Sequence, residues 1–424
     1  MSTTLRVLVA TDAFPPLCGG SGWSTWELVR GLAARGHDVD VVKIEVAPEA
    51  GVVEERFESI PVTTFRTQAS TLPVVRNVAK NERLWKTFAG FLTDRLASQP
   101  VDIIHAQHVM TTVPAIRAGA SAATPVVATV RDYWPVCYWS TLIYDPSQPA
   151  LCPACSVGMM QKCVRPRAGA FSVAAWPLIP YMRSNLATKR ATLARANAII
   201  AVSSTLARDL RARAPELATT PIYTIPNPVD MAPLDTIRGS AERPIAGPYV
   251  LYAGKLATNK GVQFLLPSLA EAGVDWPLVI AGDGPLRGEL EGQARASGRD
   301  VRVLGWLDRG QVWAWMRHAT MLAFPSYGPE SLSRVLIEAA ALGVPIAAMN
   351  TGGTADILQH RVSGLLSDDP AGFARDLGEL AGDERLRSAL GAAARAAAHT
   401  RFSAESVVER VEQVYRHVLM PEAA

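Results

Sequence analysis

Short apolar runs rich in Val, Ile and Leu recur along this chain. Each is followed by a small-residue loop and then by a segment whose apolar positions fall three and four apart. In the first half the runs lie at 5–10, 38–44, 102–105, 125–130 and 198–202. In the second half they are Tyr249–Ala253, Leu278–Ala281, Val301–Leu304, Met321–Phe324 and Pro345–Ala348. Unbroken apolar runs of this length predict strands buried on both faces of a parallel sheet, and the intervening period predicts helices. The segment at about 23–35, with Trp26, Val29 and Leu32 on one face, predicts a helix that stops at Gly36. Strand–helix alternation in both halves predicts an α/β protein of two doubly wound domains. The Pro- and Gly-rich stretch from Ile225 to Pro248 reads as their connection. We place the domains at residues 1–226 and 227–403, followed by a last helix at about 404–419 within residues 404–424. Ligands of such sheets bind at the carboxyl ends of the strands, so two facing domains would put the site in a cleft between them.

Composition narrows the class. At 424 residues the chain exceeds one core, and 49% hydrophobic with 19% charged residues predicts a globular protein with large cores. A net charge of +3 is too small to argue for a nucleic-acid partner. The start, Met1-Ser-Thr-Thr-Leu-Arg-Val-Leu-Val-Ala10, enters a strand at once and shows no secretory apolar region. No uninterrupted apolar run reaches the roughly 18 residues of a membrane span. These features predict a cytoplasmic protein.

The richest chemistry lies in Pro325-Ser-Tyr-Gly-Pro-Glu330-Ser-Leu-Ser-Arg-Val-Leu-Ile-Glu338, followed by Gly343, Pro345 and Gly352-Gly353. If a helix joins the two acids, eight residues separate them by roughly 12 Å. Its N-terminus at Ser331, Leu332 and Ser333 would offer N–H groups to an anion between them. A nucleoside diphosphate sugar has that layout, with hydroxyls at each end and a diphosphate in the middle. Upstream, Gly254-Lys255-Leu-Ala-Thr-Asn-Lys260-Gly261 follows a strand and forms a plausible diphosphate clamp. Gly282-Asp283-Gly284 reads equally as a ligand loop and as a plain turn closing a βα unit. In the first half, Phe14-Pro-Pro-Leu-Cys-Gly19-Gly20-Ser21-Gly22 opens a helix, and a dinucleotide fingerprint is not met because Thr25 stands at the third glycine position.

Together these motifs resemble the retaining, nucleotide-sugar-dependent glycosyltransferases of family 4, which have the GT-B fold of two Rossmann-like domains. The carriers are the E-x7-E pair Glu330 and Glu338, the G-[RK]-L-x-x-x-K-G segment with Lys255 and Lys260, and the P-x-x-G-G loop with Gly19 and Gly20. The resemblance covers nearly the whole chain and is strongest over 249–366. It implies that Lys255 and Lys260 hold a donor diphosphate, Glu330 the sugar hydroxyls and Glu338 the ribose hydroxyls. Donor contacts at Gly254, Gly282, Gly305 and Ser331–Ser333 follow from it, as does a last helix returning to the first domain. The implied reaction moves a hexosyl group from a nucleoside diphosphate sugar to a hydroxyl of a sugar or lipid-linked acceptor, in polysaccharide, glycolipid or other glycoconjugate synthesis. Configuration is kept, the departing phosphate helps deprotonate the acceptor, and no catalytic metal is required.

Two positions depart from the family. Lys255 stands where arginine is more frequent, keeping the charge but losing a bidentate fork. In Val130-Arg131-Asp132-Tyr133-Trp134, Arg131 occupies the place of a common histidine. Arginine cannot act as a base at neutral pH, so that role is lost, moved to another residue or replaced by cationic stabilisation at Arg131. Asp102-Ile-Ile-His105-Ala-Gln-His108 ends a buried strand, and its histidines read either as backbone-satisfied or as catalytic. Two rival functions remain open: a nucleotide-sugar epimerase of the same architecture, and a non-catalytic nucleotide-sugar-binding protein.

Four cysteines, Cys137, Cys152, Cys155 and Cys163, gather near an insertion at about 134–168 in the first domain. They read first as a structural zinc site, with buried thiols and a redox pair as alternatives. The apolar segment from Phe171 to Met182, followed by Arg183, Lys189, Arg190 and Arg195, reads either as an element at a bilayer surface or as packing within the first domain. Pro177 and Pro180 prevent one continuous amphipathic helix there.

Overall fold

The computed structural model describes residues 4–16, 18–68, 79–146, 150–173, 175–238 and 243–420. In chain order its strands are β1 (Arg6–Thr11), β2 (Asp38–Val46), β3 (Gly51–Phe57), β4 (Ile60–Thr67), β5 (Ile103–Ala106), β6 (Val126–Val130), β7 (Ile143–Asp145) and β8 (Ala150–Leu151). Then follow β9 (Ala198–Ala201), β10 (Ile222–Thr224), β11 (Val250–Ala253), β12 (Leu278–Ala281), β13 (Val301–Gly305), β14 (Met321–Phe324), β15 (Ile346–Met349) and β16 (Leu365–Ser367). They form an eight-stranded sheet ordered β10-β9-β6-β5-β1-β2-β4-β3, a six-stranded sheet ordered β13-β12-β11-β14-β15-β16, and the small pair β7-β8. Both large sheets are parallel except at β3, which pairs antiparallel with β4 through a turn at Glu58.

The chain divides into two compact units. The first holds Met1–Ser140, Pro180–Pro228 and Ala404–Ala424; the second holds Thr141–Ile179 and Val229–Ser403. The first core joins Val7, Val9, Ile103 and Val127 of the sheet to Trp26, Val29 and Leu32 of the Gly20–Ala34 helix. The last helix, Ala404–Leu419, adds Val407, Val408, Val411 and Tyr415 to that core. Its docking is also polar. Glu412 accepts from Arg35 at 2.8 Å and lies 2.7 Å from the His37 ring, while the Tyr415 hydroxyl lies 2.6 Å from His105 Nδ1. The other ring nitrogen of His105 meets Thr129 Oγ1 at 2.7 Å. Burial, helped by the Arg131 charge, lowers the His105 pKa to about 3, so this imidazole is a neutral strut in the core.

The insertion differs from the sequence reading. Residues Thr141–Ile179 belong to the second unit, not to the first domain. The reason is packing: a side chain added at Gly328 would touch Ile143 Cδ1 and Asn259, so β7 lies against the loop that leads to Glu330. Of the four cysteines, Cys137 falls in the first unit and Cys152, Cys155 and Cys163 in the second. Among the described residues no three His, Cys, Asp or Glu side chains are placed to hold a metal ion. The Cys152 thiol donates to the Ala154 carbonyl at 3.2 Å, and Cys163 Sγ accepts from the Arg167 guanidinium at 3.3 Å, which puts a cation where zinc would need a thiolate to itself. The insertion is instead fastened by Arg167, which donates to the carbonyls of Ile143 and Tyr144 on β7 at 2.8 and 2.9 Å and of Cys163 on its own helix at 2.8 Å.

Candidate active site

In the second unit, β11, β14 and β15 are neighbours, and the loops at their carboxyl ends interlock. The β11 loop ends at Lys260-Gly261. Gly261 has φ 69°, and a Cβ there would collide with the Pro325 carbonyl beyond β14. The β14 loop answers with Gly328 N–H to the Asn259 carbonyl at 2.9 Å. The β15 turn closes on the same loop: Gly353 N–H donates to the Glu330 carbonyl at 2.6 Å, and Thr351 Oγ1 donates to Tyr327 O at 3.2 Å. Gly352, φ 55°, leaves no room for a Cβ against the Glu330 backbone.

This interlock aims the charged groups. Lys260 Nζ donates to Glu330 Oε1, which also accepts from Ser326 Oγ at 2.8 Å. The Glu330 side chain is 12% exposed and that of Lys260 31%, so a carboxylate and an ammonium are held at one rim of the sheet with part of each open. Lys255 is exposed, and its carbonyl accepts from the Tyr252 hydroxyl at 2.9 Å. Gly254, Gly282 and Gly305 sit at the ends of β11, β12 and β13, with Gly282 bridging to Gly305. The next residue, Trp306, is exposed.

The helix between the two acids is shorter than expected. It runs Arg334–Leu342, because Ser333 is its N-cap and its Oγ accepts from Leu336 N–H. Glu330 and Ser331–Ser333 therefore lie in the preceding loop, and the helical spacing of roughly 12 Å between the acids does not apply. Glu338 stays on the helix and is buried; its Oε1 accepts from Arg334 at 2.8 Å and from Arg309 at 3.3 Å. Arg309 in turn stacks over Trp313, 4.2 Å from the ring centre. Neither arginine was singled out from the sequence.

In the first unit, the carboxyl ends of the adjacent strands β1, β5 and β6 carry a second charged group. His108 Nδ1 lies 2.9 Å from Asp12, and Nε2 lies 3.4 Å from Asp132. Burial alone would depress its pKa, but the charge of Asp12 and hydrogen bonds to both aspartates push it up to about 10, so the ring is an imidazolium at neutral pH. Lys189, buried nearby, is lowered to about 8 by desolvation, opposed by the charges of Asp132 and Glu82. His108 opens the Val109–Ala122 helix as its N-cap residue. Gly19 likewise caps the Gly20–Ala34 helix; both Gly19 and Gly20 are exposed, with no acid in the first turn. Arg131 does not join them in the open. It is buried, donating from Nε to Asn227 Oδ1 at 2.9 Å and from a terminal nitrogen to the Gln107 carbonyl at 3.0 Å and side chain at 2.5 Å.

Residues 18–232, just over half of the chain, match the family described as Glycosyltransferase Family 4, and residues 247–383 match Glycosyl transferases group 1. A D-inositol 3-phosphate glycosyltransferase of Xylanimonas cellulosilytica is 33% identical over 46% of this chain and 48% of its own length, so the chain spans about half of that relative. A glycogen synthase of Mycobacterium tuberculosis is 27% identical over 97% of this chain and 94% of that one. Sucrose-phosphate synthase of Thermosynechococcus elongatus superposes with a TM-score of 0.69 at 20% identity, covering 97% of this chain and 99% of that one. Anabaena HepE in complex with UDP and glucose gives 0.64 at 19% identity, covering 96% and 98%. The two parallel-sheet units are the Rossmann-like domains of the GT-B fold, and the protein belongs to glycosyltransferase family 4.

Proposed function

We propose that the protein is a retaining hexosyltransferase that takes a sugar from a nucleoside diphosphate donor bound to its second unit and passes it to an acceptor hydroxyl. The carrying observation is the Lys260–Glu330 pair, fixed by three interlocked loops and partly open. Lys260 and Lys255 hold the diphosphate, whose negative charge grows as the glycosidic bond breaks, so their effect is greatest in the transition state. Glu330 accepts hydrogen bonds from the sugar hydroxyls. Glu338, held by Arg309 and Arg334, keeps Oε2 for the ribose. The departing phosphate takes the acceptor proton, which requires no base from the protein.

His108 fills the gap left at position 131. Clamped as an imidazolium between Asp12 and Asp132, it donates and carries charge but does not abstract protons. Arg131 fixes the backbone behind it through Gln107. That division supports catalysis over the non-catalytic reading, because the polar group at the strand ends survives the change at 131. Assaying nucleoside diphosphate release from UDP-, ADP- and GDP-hexoses tests the proposal. Release from at least one donor is expected, and an epimerised donor with no release would favour the epimerase.

A further inference from the structure

Most large apolar side chains exposed on this protein are isolated, which is ordinary for a globular surface. Three are not. Phe171 is 77%, Val173 67% and Trp176 45% exposed, all within six residues of the insertion. They stand on consecutive tight turns, with 3₁₀ segments at Gly169–Phe171 and Trp176–Leu178. The backbone is tied by Ala175 N–H to Phe171 O at 3.0 Å and Trp176 N–H to Val173 O at 3.2 Å. Ile179 and Met182, which follow, are buried, so this segment turns its anchors inward and leaves the aromatic tip outside.

The charge around the tip selects its occupant. Residues 146–208 contain no Asp or Glu. Lys162 and Arg165 precede the tip on the Val157–Ala168 helix, and both are exposed. A second copy of this surface would bring cation against cation in a two-fold contact. An anionic bilayer instead satisfies both parts, taking aromatic side chains at the headgroup boundary and cations at its surface. We infer that the Phe171–Trp176 turn, flanked by Lys162 and Arg165 of the same unit, docks the protein on an anionic lipid bilayer. The element is a wedge of turns, not an amphipathic helix, as Pro177 and Pro180 require.

The test is sedimentation of the full chain with phosphatidylglycerol/phosphatidylcholine vesicles and with phosphatidylcholine alone, without any sugar donor. Pelleting with the anionic vesicles at low salt and release at high salt are expected. The double variant Phe171→Ser/Trp176→Ser should lower binding by at least about tenfold, given the apolar area removed, and Lys162→Gln/Arg165→Gln should lower it in low salt. Unchanged circular dichroism and melting would show that both variants fold. Absence of pelleting at low salt overturns the inference, as does wild-type pelleting by the aromatic variant. A concentration-dependent dimer that the aromatic variant abolishes would assign the tip to a second copy and also overturn it. Because no donor is present, this result stands apart from the proposed sugar transfer.

Discussion

Glu330 and Glu338 occur in one motif but are held by different forces, and their variants should separate accordingly. Glu330 accepts hydrogen bonds from Lys260 and Ser326 at the open rim, whereas Glu338 is buried between Arg309 and Arg334. Lys260→Ala should weaken nucleoside diphosphate binding by roughly 1.5–3 kcal/mol, the range of a charge-assisted contact. Glu330→Ala should weaken the intact sugar nucleotide and leave the bare diphosphate nearly unchanged. Glu338→Ala should weaken both and also lower the melting temperature, because it strands two arginines beside each other. Calorimetry with both ligands, and thermal melts, check the three. His108 makes a pH prediction. Its folded pKa of about 10 exceeds the ordinary 6.5, so its stabilisation is complete below about 6.5 and is lost as pH rises through 10. The His108 ring resonance should stay protonated through neutral pH; a midpoint near 6.5 would remove the imidazolium from the account. Lys260 and Glu330, which pair in the structure, could be picked out because short motifs carry them. The burial of Arg131 was not legible because its partners, Gln107 and Asn227, lie 24 and 96 residues away in sequence. Asp12 gave no local signal, since only the parallel packing of β1, β5 and β6 brings it to His108, and Lys189, read as a cation for a bilayer surface, is instead buried.

Among elements, the buried strands and the last helix were readable because their patterns are strict: β5, β9, β11, β12, β14 and β15 are buried at every residue. The β3-β4 hairpin was missed. β3 is mostly exposed, with neither an unbroken apolar run nor clean alternation to announce it. The start of the Arg334–Leu342 helix was set three residues too early, because the Ser333 cap is a local hydrogen bond that several nearby serines could have made. Cysteine spacing pointed to zinc, while the hold on the insertion came from Arg167, whose partners are carbonyls that leave no mark in sequence. Chelator treatment should therefore leave the melting profile unchanged, whereas Arg167→Ala should destabilise the insertion and raise its proteolysis rate. A drop in melting temperature on chelation, with metal released, would restore the zinc reading. In the first unit, Tyr415→Phe deprives buried His105 of one partner and should cost about 1–3 kcal/mol of stability without affecting nucleotide affinity, as denaturant titration and calorimetry would register.

On the scale of the whole molecule, the first unit is assembled from three chain segments and the second from two. The alternating α/β pattern made both domains visible, but threading was only partly visible, because the Thr141–Ile179 segment joins the second unit through packing of Ile143 near Gly328. The Lys260–Glu330 pair lies in the second unit, and the aromatic tip belongs to that unit too. Lys260 and Glu330 are proposed to act on the same nucleoside diphosphate sugar. The most direct measurement is nucleoside diphosphate release from a panel of UDP-, ADP- and GDP-hexoses by the wild type, Lys260→Ala and Glu330→Ala, with calorimetric binding of each donor alongside. We predict that the wild type binds and turns over at least one donor, and that both variants lose turnover of that same donor while remaining folded. A wild type that binds none of the donors, or variants that release diphosphate at the wild-type rate, would contradict the account.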